Sequence, residues 1–234
     1  TTRTPDATYI LTDTVYSRAA YPELFAIVGT QEAFNDAATF TSVSNGLGAG
    51  PSIQQIAVGK DGVIIAVGYY SSSGAGNGRA TRSTDGGLAW NSIPSLSAGF
   101  SLAAVATDGS GVWIATEYGG YNGYRSTDNG VTWSAAFPLN GLSSGSAANG
   151  TFIATNKAGV WIAVNAQASG YDSGSKSIDN GVTWNSISGI PTAVTRFATD
   201  AAGNWFVITT NNTLRRSIDN CATWKTSLGN VAGN

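Results

Sequence analysis

The sequence predicts an all-β fold, a β-propeller of four-stranded antiparallel blades, and five such blades fit its 234 residues. Three observations carry this prediction. A nine-residue segment recurs four times, an apolar segment of strand length precedes each copy, and the copies follow one another at the spacing of a propeller blade. Because one large all-β domain commonly reaches this length, residues 1–234 are expected to form a single propeller domain.

The recurring segment has the pattern S-x-D-x-G-x-T-W after a basic residue. An Asp side chain accepts hydrogen bonds from backbone N–H groups just downstream, and Gly supplies a positive φ, so the segment is predicted to close a tight turn that a Trp then packs. Successive aspartates lie 43, 51 and 40 residues apart. The residues assigned this structural role are Asp85, Trp90, Asp128, Trp133, Asp179, Trp184, Asp219 and Trp224. Cys221 stands at a Gly position of the pattern and is expected to be a small turn residue.

An apolar run precedes each copy, at residues 62–68, 111–117, 159–165 and 203–209. Such runs are typical of a strand buried on both faces, and Trp113, Trp161 and Trp205 recur at one position in them, which predicts core residues. Each unit therefore reads as strand, tight turn, strand, variable loop, strand, motif turn, strand. The units are 6–43, 52–93, 101–137, 149–187 and 193–227.

The first of these units is a decayed copy. Residues 24–29 match the apolar run, and residues 33–40 match the motif with Asn35, Ala37 and Phe40 in place of Asp, Gly and Trp. Two alternatives stay open: four blades after an unrelated N-terminal segment, and a larger ring of which this sequence is a part.

The four motif copies resemble the Asp-box of the sialidase-type, or BNR, propellers, over about residues 50–227. In that family the box is structural and lies opposite the binding site, so the resemblance implies the fold and not catalysis. Residues 15–40 are similar to phage tail-collar and tail-fibre proteins, through Tyr21–Phe25 followed by Gly29 and Thr30. After Phe40 the usual Leu-Pro-Asp is replaced by Thr-Ser-Val. This second resemblance implies a virion protein.

Composition excludes several functions. The chain has no His and one Cys, which removes Ser-His-Asp and Cys-His catalysis, a Cys-cluster zinc site and His-bound metals, so no metal or cofactor is expected. A net charge of −2 without a Lys/Arg run argues against nucleic acid as a partner, and no stretch of 18 apolar residues is present to insert into a membrane.

The chain is predicted not to be an enzyme. Sialidases need an arginine triad. Three of the eight arginines occupy the repeated position before a motif, two precede the clear repeats and one adjoins a motif, so only Arg79 and Arg196 stand apart, too few for a triad. Glycoside hydrolysis needs two carboxylates about 5 to 9.5 Å apart. Glu117 and Asp172, in loops of adjacent units, are the main candidates, and they define the alternative of a sialidase-like hydrolase.

The loops between the second and third strands vary most and combine Tyr, Asn and Gly, as adaptable binding surfaces often do. They predict a glycan-binding face opposite the motif turns. The candidate ligand-binding residues are Tyr70, Tyr118, Tyr121 and Tyr171 for stacking and Asn122, Asp172, Asn211 and Asn212 for hydrogen bonds. The favoured function is a non-enzymatic, lectin-like receptor-binding domain of a phage tail fibre or other virion adhesin, virion-borne or extracellular. Its expected partner is a cell-surface glycan, with a homo-oligomer or other virion proteins also allowed. A structural virion or assembly-scaffold propeller is a further alternative.

Overall fold

The computed structural model describes residues 52–69, 78–97, 101–142, 151–165, 173–191 and 193–225. They lie in one compact unit, Val43–Asn234. The predicted first unit, residues 6–43, lies outside the described residues, so the fifth blade and the single domain stay predictions.

The described residues form four antiparallel sheets, each built from consecutive strands in the order of the sequence. The first sheet contains β1 (Ser52–Val58), β2 (Ile64–Tyr69), β3 (Gly78–Ser83) and β4 (Asn91–Ser92). The second contains β5 (Leu102–Thr107), β6 (Trp113–Glu117), β7 (Asn122–Ser126) and β8 (Phe137–Pro138). The third contains β9 (Thr151–Thr155), β10 (Trp161–Asn165), β11 (Ser173–Ser177) and β12 (Asn185–Ser188). The fourth contains β13 (Val194–Thr199), β14 (Trp205–Thr209) and β15 (Leu214–Ser217).

Three of the four units thus have the predicted four strands. In the last unit a single bridge between Arg216 and Lys225 stands where a fourth strand was expected. The only helical elements in the described residues are a 3-10 turn at Lys60–Gly62 and a short helix, α1, at Pro94–Ser97.

The core consists of three apolar layers, each shared by two successive sheets. Each layer contains one of the recurring second-strand tryptophans, Trp113, Trp161 or Trp205, and all three side chains are fully buried. Their predicted core role is confirmed. The Trp113 ring lies so close to the preceding sheet that a Cβ on Gly59 would come within 2.2 Å of it.

The motif turns have the geometry that their residue types predict. In the third sheet the backbone N–H of Thr183 donates to Asp179 Oδ1 at 2.8 Å, and the Ser177 hydroxyl donates to the same oxygen at 2.7 Å. The Trp184 indole N–H donates to the carbonyl oxygen of Gly181 at 3.1 Å. The Thr183 side-chain and backbone hydrogen bonds, followed by that of Ser177, hold the pKa of Asp179 well below its ordinary value.

The motif turns lie at the same end of each sheet as the turns between first and second strands. The backbone N–H of Asn129 donates to the carbonyl oxygen of Gly111 at 3.0 Å, and that of Asn180 donates to Gly159 in the same way. We call this end the box end. The opposite end, the loop end, contains the connections between second and third strands and those between successive sheets.

The first three sheets are linked at the box end by the arginine that precedes each of the first two motifs. The Arg82 Nε donates to the carbonyl oxygen of Asn129 in the next sheet at 2.9 Å, and Arg125 Nε donates to Asn180 at 3.0 Å. The motif Gly lies close against the preceding sheet, since a Cβ on Gly130 would come within 2.3 Å of the end of the Ile65 side chain. In the fourth sheet Cys221 takes this position, buried and with a φ of 65°.

Candidate functional site

A cavity of about 460 Å³ lies at the loop end, where the first strands of the four described sheets begin. Its lining combines three aromatic rings with amide, hydroxyl and guanidinium groups. The lining residues are Gln54, Gln55, Ala103, Tyr118, Thr151, Phe152, Arg196 and Phe197. Since every described sheet contributes, the site exists only through the packing of all four.

Three first strands carry a β-bulge at the same place beside this cavity. The pairing register shifts between Ile53 and Gln55 in β1, between Leu102 and Ala104 in β5, and between Val194 and Arg196 in β13. An extra residue in a strand re-aims the neighbouring side chains, and bulges are frequent next to binding sites. Here the extra residues in β1 and β5, and the residue after the extra one in β13, all line the cavity.

Tyr118 supplies the cavity with a ring that is held in place. Its ring centroid lies 4.2 Å from that of Tyr69, with 34° between the planes, and its backbone N–H donates to the carbonyl oxygen of Ser101 at 2.7 Å. The hydrogen bond with Tyr69, followed by burial, raises the pKa of Tyr118 to about 12. The phenol is therefore neutral at physiological pH and can both donate and accept hydrogen bonds.

Several of the other lining side chains already make hydrogen bonds or ring contacts within the protein. Gln55 Oε1 accepts the backbone N–H of Val105 at 3.3 Å, and one Nη of Arg196 donates to the carbonyl oxygen of Thr195 at 2.6 Å. The Phe197 ring stacks on Trp205 with centroids 5.6 Å apart. None of the described residues lining the cavity is Asp or Glu.

Glu117 lies at the loop end but does not line the cavity. It is 5 % exposed, and its two oxygens accept hydrogen bonds from the Tyr124 hydroxyl at 2.8 Å and the Asn122 amide at 3.0 Å. Burial, together with the hydrogen bond to Glu117, raises the pKa of Tyr124. This arrangement ties the connection between β6 and β7 to the sheet.

The predicted ligand-binding residues are distributed over the loop end. Tyr118 lines the cavity, Tyr121 is 43 % exposed in the same connection, and the Asn122 side chain binds Glu117. Asn211 and Asn212 are exposed in the connection between β14 and β15. The remaining predicted residues, Tyr70, Tyr171 and Asp172, lie outside the described residues.

Sequence reasoning missed most of the lining, and the signal for it was present. Polar Gln54 and Gln55 interrupt the first apolar strand, and Arg196 interrupts the last, at the bulge positions. Tyr69, which contacts Tyr118, is not among the predicted ligand-binding residues, whereas its neighbour Tyr70 is. Among the described residues no group of His, Cys, Asp and Glu side chains could hold a metal ion, and no helix is long and apolar enough to cross a membrane.

Neither a protein-family model nor a curated protein matches this chain. Solved structures do match. A GH74 xyloglucanase from Xanthomonas campestris aligns with a TM-score of 0.55 at 19% identity, over 74% of this chain and 30% of the xyloglucanase. A Hadza microbial sialidase aligns with a TM-score of 0.53 at 15% identity, over 78% of this chain and 47% of the sialidase. YCF48 from Cyanidioschyzon merolae aligns with a TM-score of 0.52 at 14% identity, over 77% of this chain and 57% of that protein.

At these identities the likeness establishes the fold: the chain is an all-β protein with a sialidase-like β-propeller fold, as predicted. It spans less than two thirds of the length of each of these structures. The number of blades stays a prediction. The similarity of residues 15–40 to phage tail proteins falls outside the described residues and finds no support in these three structures.

Proposed function

We propose that this chain binds an oligosaccharide in the loop-end cavity without hydrolysing it. The observation that carries the proposal is the cavity lining, where aromatic, amide, hydroxyl and guanidinium groups from four sheets converge on about 460 Å³. Small-molecule sites are concave, lined by apolar and aromatic groups, and contain a few well-placed polar groups. A sugar matches that lining because each ring offers an apolar face surrounded by hydroxyl groups.

The aromatic groups are suited to stacking on such a face. Tyr118 is fixed by its contact with Tyr69, so little side-chain entropy is lost when a ligand covers it. Gln54, which is exposed, and Arg196 can supply hydrogen bonds to hydroxyl groups.

The absence of hydrolysis is proposed from the carboxylates. Hydrolysis of a glycoside requires a general acid and a second carboxylate flanking the bond, whereas none of the described lining residues is acidic. Both oxygens of Glu117 are engaged by Tyr124 and Asn122. The sialidase-like hydrolase therefore ranks second, and Asp172 would have to provide its other carboxylate.

The proposed ligand belongs to a cell surface, and the proposed setting is extracellular or on a virion. Charged residues make up 11% of the chain, which suits contact with hydroxyl-rich ligands. Because such sites bind weakly, attachment would depend on several copies acting together, in a homo-oligomer or a larger virion assembly. A scaffold propeller that contacts only proteins is the remaining alternative.

The test is a glycan array followed by calorimetric titration of the best ligand. Fragments of xyloglucan and sialosides belong on the array because a xyloglucanase and a sialidase share this fold. Arg196→Ala and Gln54→Ala should each weaken binding roughly tenfold, the effect of losing a hydrogen bond to the ligand. Tyr121→Ala, which removes an exposed ring outside the cavity, is the matched control and should bind as wild type does.

Three outcomes would contradict the proposal. Binding that survives both cavity variants but is lost in Tyr121→Ala would place the ligand on the connections instead. Release of reducing sugar that disappears in Glu117→Gln would establish the hydrolase. An array without any bound glycan would favour the scaffold alternative.

A further inference from the structure

A second cavity, of about 540 Å³, lies at the box end between the second and third sheets. It is separate from the loop-end cavity and shares no residue with it. We call it the box-end cavity. Its described lining residues are Arg125, Thr127, Thr132, Trp133, Ser134, Ala135, Phe137, Gly181 and Val182.

Beside this cavity the second sheet departs from the repeat, just after its motif. In the third sheet, Ile187 pairs with Gly174 three residues after Trp184. In the second sheet, Phe137 pairs with the equivalent Gly123 four residues after Trp133. The one additional residue delays the fourth strand of the second sheet, and the Trp133 indole beside it is partly exposed, whereas Trp184 is 4 % exposed.

Two sides of the cavity are apolar. Trp133 and Phe137 provide ring surfaces, and Phe137 is fixed by stacking on Trp184 at a centroid distance of 6.4 Å. Val182 is 63 % exposed, much as Val131 is at the equivalent position of the preceding motif, and it adds aliphatic surface to the lining beside the two rings. Such a surface favours the apolar face of a ring.

The polar side is a guanidinium with hydroxyl groups. Arg125 uses Nε to bind the carbonyl oxygen of Asn180, and its Nη groups make no hydrogen bond to any described residue. Thr127, Thr132 and Ser134 add hydroxyl oxygens to the lining. The Thr132 hydroxyl donates to Asp128 and that of Ser134 to the carbonyl oxygen of Ala135, so toward a ligand these two oxygens act as acceptors. A guanidinium whose two Nη groups bind no described residue is suited to a carboxylate, which it can bind through two parallel hydrogen bonds.

We infer that the box-end cavity is a binding site for a sugar acid, a saccharide unit that carries a carboxylate on its ring. The guanidinium takes the carboxylate, the rings of Trp133 and Phe137 take the sugar face, and the threonine and serine hydroxyls bond the sugar hydroxyls. A neutral sugar lacks the charged contact, and a simple carboxylate lacks the ring. This site is additional to the loop-end cavity and does not depend on the function proposed for it.

The test is titration of trigalacturonate into the whole chain at an ionic strength of about 10 mM, where screening is weak. The methyl ester of the same trisaccharide is the ligand control, because it keeps the rings and removes the charge. Wild type should bind the acid and bind the ester at least roughly tenfold more weakly, the difference expected for a charge-assisted hydrogen bond.

Two matched pairs of variants locate the site. Val182→Glu puts a negative charge into the box-end cavity. Val131→Glu puts the same charge at the equivalent position of the preceding motif, and Val131 does not line the cavity. Arg125→Gln removes the guanidinium, whereas Arg82→Gln removes the equivalent link between the first and second sheets. Val182→Glu and Arg125→Gln should lose binding, and both controls should keep it, with thermal melting confirming that each variant is folded.

The inference is overturned if the acid does not bind wild type, if the ester binds as well as the acid, or if Val182→Glu binds as wild type does. Loss of acid binding in Arg196→Gln with retention in Arg125→Gln would assign the acid to the loop-end cavity and would also overturn it.

Discussion

The indole N–H of Trp113 donates a hydrogen bond of 3.0 Å to the side-chain oxygen of Asn129, and this bond joins the second strand of the sheet to its motif turn. The same bond recurs in the third and fourth sheets at 2.8 and 3.2 Å. In the first sheet both partners are absent together, since Ile64 stands in place of the Trp and Gly86 in place of the Asn. Within one chain the two positions have therefore changed as a pair.

Asn129→Gly should lower the free energy of unfolding by about 1 to 3 kcal/mol, because it leaves a buried indole N–H without its acceptor. Gly suits the positive φ of 59° at this position, so the backbone adds no strain. The cost should nearly vanish in a Trp113→Phe background, where no N–H remains to be satisfied. Denaturant midpoints of the four proteins in this cycle measure the coupling, and an equal cost in both backgrounds would contradict the pairing.

Ala89→Thr should stabilise the chain by about 0.5 to 1.5 kcal/mol, the usual net value of a hydrogen bond. In the second motif the Thr132 hydroxyl donates to Asp128 Oδ2 at 2.5 Å. The equivalent residue of the first motif is Ala89, which has no hydroxyl and binds Asp85 only through its backbone N–H. Ala89→Val is the matched control, because it has the shape of Thr without the hydroxyl. Equal denaturant midpoints for the Thr and Val variants would show that the hydroxyl adds nothing.

The motif aspartates should make folding sensitive to acid. Hydrogen bonds led by those of Thr183 hold the pKa of Asp179 below its ordinary value of 3.8, and equivalent bonds from Thr223 lower that of Asp219 to about 2. Because the folded pKa lies below the unfolded one, the unfolded chain binds more protons as the pH falls. This stabilisation is therefore complete above about pH 4 to 5 and is lost as the pH falls toward 2.

Asp179→Asn removes one of these titrating groups and should flatten the pH dependence of stability. Its stability deficit relative to wild type, measured by urea unfolding, should be largest at pH 7 and shrink by pH 3. A deficit that is the same at both pH values would mean that the Asp179 carboxylate is not preferentially ionised in the folded chain.

Cys221 should not react while the chain is folded. Its side chain is fully buried, and burial raises the pKa of its thiol, so the reactive thiolate is scarce. Modification by a soluble disulfide reagent should follow the unfolding transition in urea. Rapid modification in the absence of denaturant would contradict the packing of the fourth motif turn.

Much of the fold could be predicted from the sequence because the same local residue pattern occurs four times. Asp179 accepts the turn hydrogen bonds, Gly181 has the positive φ and Trp184 packs in the core, as their residue types and spacing predict. Cys221 was recognised as a turn residue because its three counterparts are glycines. The single bridge between Arg216 and Lys225, where the described residues of the last unit end, was not predicted from the sequence.

The site was less readable, because its shape depends on departures from the repeat. A bulge beside Gln54 or Ala103 changes the direction of side chains without a motif of its own, and the cavity arises only when four first strands meet. Tyr118 could be predicted because loops rich in Tyr and Asn are typical of binding surfaces. Arg196 stood apart from the repeat in the sequence, but its place in a cavity required the structure.

The loop-end cavity is the proposed carbohydrate site, and one measurement tests this assignment most directly. The measurement is a titration of isotope-labelled chain with the best array ligand, followed by the backbone amide signals in two-dimensional NMR. We expect the largest shifts at residues that line the loop-end cavity, including Gln54, Ala103, Phe152 and Phe197. The signals of the motif turns should not shift. Shifts concentrated on the motif turns, or absent from the cavity residues under saturating ligand, would contradict this assignment.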